Sequence, residues 1–109
     1  MATDTALTYE ERLALARVDR GTALLNEDGP SSWWRRIRVT DLDMSRASSC
    51  VLGQIYPFFD NGLTALGIKY DTKKDPAYYG FDMSSNVGYG TLDWAWRKKL
   101  TELKRRPKK

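Results

Sequence analysis

The side chains best suited to chemistry in this sequence are cations and indoles, and they gather toward its C-terminal end. Residues 97–109 hold eight of the 18 Lys and Arg and one of the 14 acids. That stretch carries +7, the remainder −3, and the overall balance of +4 conceals the boundary. A localised positive segment raises the nearby potential and favours a polyanion or an acidic protein surface. At 100° per residue, Trp94 points away from the apolar stripe of a terminal helix and shares its outer face with Arg97, Lys98, Thr101 and Arg105. An indole among cations can stack on a base or plug a partner's pocket. A second group of the same type, Trp34 with Arg35, sits in the run Trp33-Trp34-Arg35-Arg36. There one indole is expected in the core and the other half-covered, with guanidinium groups against indole faces. The candidate partner-binding residues are therefore Trp94, Arg97, Lys98, Arg105, Trp34 and Arg35. A plainer reading stands beside this one. Cations at a helix C-terminus are favoured by the helix dipole, whatever they bind.

Catalytic groupings are scarce. The chain has no histidine, which removes the commonest general base and metal ligand together. Its one cysteine, Cys50, permits no internal disulfide and no Cys-rich zinc site, and reads as a small core residue. Asp41 with Asp43 and Asp71 with Asp75 lack the spaced partners of a calcium loop. Gly88-Tyr89-Gly90 has neither the glycine spacing nor the lysine of a phosphate loop. The expectation is a non-enzymatic protein with no catalytic residue, cofactor or metal, whose partner is a protein or, alternatively, a nucleic acid.

The elements that must present these residues read as mainly α. Thr8 and Glu11 form a capping box ahead of a helix from Glu10 to about Leu25. Its inner sector holds Leu13, Ala14, Val18, Gly21, Leu24 and Leu25, with Arg17 inside the same sector. Asn26 to Pro30 carries turn chemistry that should stop it. Ser31 or Ser32 can cap a short helix in which Trp33 and Ile37 share a face. Arg38 to Thr40 reads as extended, and Leu42 and Met44 are seated in the core by a short turn. Ser45 to Ser49 supplies capping residues for a buried helix over 50–56. Pro57 interrupts it, so the segment to Gly67 is a kinked continuation or a second helix. Residues 68–90 read as a long Gly- and Tyr-rich loop that packs its aromatics on the core and leaves room for one short hairpin. Thr91 is placed as the cap of the terminal helix, which buries Leu92, Ala95, Trp96, Leu100 and Leu103.

The length suits a single helical domain, taken as residues 1–106, with 107–109 as a flexible basic tail. No apolar run approaches the ~20 residues of a membrane span. The N-terminus lacks the basic start and apolar stretch of a signal peptide, so a cytoplasmic protein is the expectation.

The order Trp33-Trp34-Arg35-Arg36-Ile37, Asp41-Leu42-Asp43-Met44, Cys50-Val51-Leu52-Gly53-Gln54-Ile55-Tyr56, Gly80-Phe81 and Leu92…Trp96-Arg97 resembles a group of small proteins encoded by actinobacterial bacteriophages and prophages. The resemblance spans roughly residues 13–106, and its most specific part is the Cys-Val-Leu-Gly-Gln segment. A glycine often follows the tyrosine in that group, where this chain has Pro57. The resemblance implies a viral origin and supplies no catalytic residues. It also implies a small accessory protein that acts by binding in the host cytoplasm.

Overall fold

The computed structural model describes residues 6–105, and the basic tail assigned to 107–109 lies outside them. Four α-helices appear among these residues: α1, Tyr9–Asp28; α2, Val51–Ile55; α3, Phe59–Leu66; and α4, Tyr89–Arg105. Short 3-10 turns at Trp33–Arg36, Val39–Asp41 and Pro76–Tyr79 complete a mainly α fold.

α1 begins as its sequence dictates. The Thr8 hydroxyl accepts from the Glu11 N–H at 3.0 Å, and the Glu11 carboxylate accepts from the Thr8 N–H at 2.9 Å. Its inner face is Ala14, Val18, Gly21, Thr22, Leu24 and Leu25; Leu13 is only half-buried. The helix passes Asn26 and ends at Gly29, whose N–H reaches the Leu25 carbonyl at 2.9 Å. This extra turn matters to the core. It puts the Asn26 amide oxygen 2.9 Å from the Trp33 indole N–H, so the buried indole keeps a partner.

Several local expectations are corrected. Ser32 precedes the Trp33–Arg36 turn with a φ of 53° and makes no side-chain cap. Residues 39–41 are 3-10 turn rather than extended, because Arg38 and Val39 carbonyls accept from Asp41 and Leu42. Cys50 itself caps α2, its sulfur accepting from the Gly53 N–H at 3.3 Å, so the preceding serines do not cap it. After Pro57 the chain starts a separate helix, and Gly67 closes it in the left-handed region at φ 69°. The loop over 68–88 contains the Pro76–Tyr79 turn and a lone bridge between Ser84 and Val87; no strand forms among the described residues.

α1 and α4 pack against each other, and the Pro76–Tyr79 turn lies on α1. Two glycines permit that approach. A Cβ on Gly21 would stand 2.2 Å from the Tyr79 carbonyl oxygen. Gly80, at φ 74°, brings its backbone beside Val18 and Arg17. The Trp96 indole N–H then donates to the Gly80 carbonyl at 2.7 Å. Phe81 stacks on Trp96 with centroids 5.8 Å apart, and Trp33 meets it edge-on at 6.4 Å. Around this aromatic centre Leu52, Ile55, Leu63, Leu66, Leu92 and Leu100 join one buried cluster. Arg17, inside the apolar sector of α1, pairs with no acid among the described residues. Its guanidinium donates to the Ser84 hydroxyl at 2.7 Å.

Candidate functional site

α4 carries the site. Its inner side buries Leu92, Ala95, Trp96, Leu100 and Leu103, which fixes the helix's rotation. With the rotation fixed, Trp94, Lys98, Thr101 and Arg105 form one stripe at i, i+4, i+7 and i+11. Lys98, Thr101 and Arg105 are exposed, and Trp94 is half-buried against the core.

Arg97 is corrected as a member of the outer face. Its guanidinium donates to the Val39 carbonyl at 2.6 Å and the Leu42 carbonyl at 2.7 Å. Four residues earlier, the Asp93 carboxylate accepts from the Met44 N–H at 2.6 Å. These two charges would read in sequence as an i, i+4 surface pair. Instead they grip one segment, Asp93 by its N–H and Arg97 by its carbonyls. Burial pushes the Asp93 carboxyl above its usual range, opposed by the Met44 hydrogen bond. Lys99 is also engaged, lying 2.9 Å from Asp19 on α1 and 3.4 Å from Glu102. The Asp19 bond raises the lysine's pKa. Of the described cations on α4, Lys98, Lys104 and Arg105 thus remain exposed and outside any ion pair.

The start of α4 has an unforeseen cap. Thr91 lies inside the helix, one turn past the position expected of it, because the helix starts at Tyr89. The Glu10 carboxylate of α1 accepts from the Gly88 N–H at 2.9 Å and from the Thr91 hydroxyl at 2.8 Å. Those bonds hold Glu10 below the ordinary carboxylate range, and an acid at a helix N-terminus also suits the dipole.

Trp34 and Arg35 sit on the Trp33–Arg36 turn, which packs on α4 through Trp33 and Trp96. The Arg35 guanidinium lies 5.2 Å from the Trp34 ring centre, a cation–π pair with Arg35 exposed and Trp34 half-buried. Arg36 reaches the Ile55 carbonyl at 3.3 Å. Cys50 is buried, and that burial raises its thiol pKa, which lowers its reactivity.

Sequence reasoning passed over a third group. Asp82 accepts from the Tyr70 hydroxyl at 2.5 Å, the Tyr89 hydroxyl at 2.8 Å and the Met83 N–H at 2.8 Å. The only signal was the Tyr and Asp content of residues 68–90, and no spacing in it links the three. Among the described residues no group of acids, histidines and cysteines could hold a metal, and no helix is long and apolar enough to cross a membrane. Compared with protein-family models, curated proteins and solved structures, the chain gives no match.

Proposed function

We propose that this chain is a small binding protein, made by a phage, that engages a host protein in the cytoplasm and modulates it without catalysis of its own. The phage origin and the host setting rest on the resemblance of the central segments. The binding mode rests on one observation: the Trp94–Lys98–Thr101–Arg105 stripe stands on a helix whose rotation the core locks. A rigid helix face presenting one large ring among exposed polar and charged side chains suits an anchor-in-pocket contact with an acidic rim. The withdrawal of Arg97 and Lys99 into internal bonds supports a protein over a nucleic acid. A polyphosphate rewards the number of free cations, and each lost phosphate contact removes roughly 0.7–0.9 from the salt slope.

The test is a binding titration at two salt concentrations, with wild type, Trp94→Ala and Lys98→Ala/Arg105→Ala. The ligands are duplex DNA, single-stranded DNA and a protein recovered from an actinobacterial lysate. The reading expects Trp94→Ala to cost roughly 2 kcal/mol, about thirtyfold, toward the protein with little salt dependence. Steep salt dependence toward DNA, flattened in the double variant, would replace it with nucleic-acid binding.

A further inference from the structure

A cavity of about 160 Å³ opens beside Asp82, and none of the outer-stripe residues of α4 lines it. Four rings line it: Phe59, Tyr70, Phe81 and Tyr89. An apolar cavity of about 150 Å³ accepts a molecule the size of benzene, so the space here suits a group of several heavy atoms. Tyr70 lies at 50% exposure, so the cavity is open to solvent on its side.

The carboxylate decides what would enter. An ionised carboxylate offers about four acceptor sites. Asp82 uses three, for the Tyr70 and Tyr89 hydroxyls and the Met83 N–H. All three donors are neutral, and among the described residues no lysine or arginine forms an ion pair with it. The negative charge is oriented by neutral donors and, among the described residues, has no ion-pair partner. Arg46 lines the same cavity, yet its charge acts on Asp43, which it helps hold ionised after the larger effect of the Ser45 hydrogen bonds. Both tyrosines are kept as neutral phenols. The bond to Asp82 pushes Tyr89 up to about 12, and burial together with the same carboxylate raises Tyr70 further. The faces of the Phe59, Tyr70 and Tyr89 rings carry partial negative charge, whereas the Phe81 ring is stacked on Trp96 and lines the cavity as an apolar wall.

We propose that this cavity is a binding site for an alkylammonium group, held by the free acceptor site of Asp82 and by the rings of Phe59, Tyr70 and Tyr89, with Phe81 as the apolar wall against its stem. Rings beside a carboxylate suit a cation with an apolar stem, whereas a carboxylate ligand is repelled by Asp82 and would have to pair with Arg46 instead. A lysine side chain of a protein and a free small amine share this chemistry.

The experiment uses the full chain labelled with nitrogen-15 and follows its amide resonances. The probes are n-butylammonium, the uncharged 1-pentanol of similar shape, and lysine capped at both backbone ends. Butylammonium should shift the Ala47, Phe81 and Asp82 amides saturably, and pentanol should bind at least about tenfold more weakly. Asp82→Asn should weaken butylammonium by about tenfold or more. Tyr70→Phe keeps the ring and frees a second acceptor site, so its affinity should equal or exceed wild type. Capped lysine binding as well as butylammonium identifies a protein side chain as the source; binding of butylammonium alone identifies a free amine. Equal binding of pentanol and butylammonium, no saturable shift in wild type, or unchanged affinity in a folded Asp82→Asn would overturn the proposal. If Asp82→Asn does not fold, the comparison of the two stems on wild type decides it.

Discussion

The same substitution, glycine to alanine, should change stability in opposite directions at two helical positions. Gly21 lies in the middle of α1 and Gly90 in the first turn of α4. By helix propensity alone each should gain roughly 0.5–1 kcal/mol from alanine. At Gly90 a new Cβ meets nothing within 4 Å, so the gain should survive. At Gly21 the Cβ would stand 2.2 Å from the Tyr79 carbonyl oxygen, 3.1 Å from the Trp96 ring and 3.2 Å from the Phe81 ring. The nearest atom is backbone, and its segment is pinned. Trp96 holds the Gly80 carbonyl at 2.7 Å and Arg20 holds the Tyr78 carbonyl at 2.9 Å. Relief therefore requires the turn to lift off α1 by most of an ångström, which disturbs the Trp96–Phe81 stack. Overpacking of this kind costs about 1–3 kcal/mol, and more where backbone must move. With the backbone forced to move, the cost lies toward the upper end of that range, so after the propensity gain Gly21→Ala should lose about 1–2 kcal/mol. Thermal unfolding by circular dichroism reads both. For a domain near this size 1 kcal/mol shifts the midpoint by roughly 4–8 °C. Gly21→Ala should fall by at least about 4 °C, and Gly90→Ala should rise by a few degrees or hold. A Gly21→Ala protein that melts at or above wild type would refute the close approach of the turn to α1.

Arg97→Ala should destabilise the fold by about 1–2 kcal/mol after allowing for its partial exposure, because two carbonyls lose a charged donor. Lys98→Ala, one residue on and exposed, should stay within about 0.5 kcal/mol of wild type; equal midpoints for the two variants would refute the grip on residues 39–42. Glu10 has a folded pKa below its unfolded value, so its contribution is present above about pH 4.3 and is lost as the pH falls through the folded value. The drop in melting midpoint between about pH 6 and pH 3 should therefore be smaller in Glu10→Gln than in wild type. Some drop should persist, since Asp43 is held low by Ser45 in the same sense. A drop in Glu10→Gln as large as that of wild type would show that the Glu10 cap of α4 does not form.

What the sequence determined by itself is what neighbouring residues decide among themselves. Thr8 and Glu11 lie three apart, and their reciprocal bonds need only the first turn of a helix. The burial of Leu92, Trp96 and Leu100 and the outward stripe of Trp94, Lys98 and Arg105 follow from one period of 3.6 residues. Pro57 forces a break because it lacks an N–H, whatever surrounds it. Much of the candidate helix face was legible for that reason. The edges of the face were not. Arg97 sits at the margin of the stripe, and whether it meets water or a neighbour depends on where residues 39–44 run. Glu10 and Gly88 are 78 positions apart, and Tyr70 and Asp82 meet across a loop without periodicity. Gly21 reads in sequence as a weak point of a helix, and only the path of the Pro76–Tyr79 turn makes it a requirement. The contacts of Arg97, Glu10 and Gly21 belong to the tertiary structure because backbone carbonyls and N–H groups, identical at every position, supply one partner of each. A sequence names the side chain that can reach them, and only the folded path of the chain says which of them come within reach.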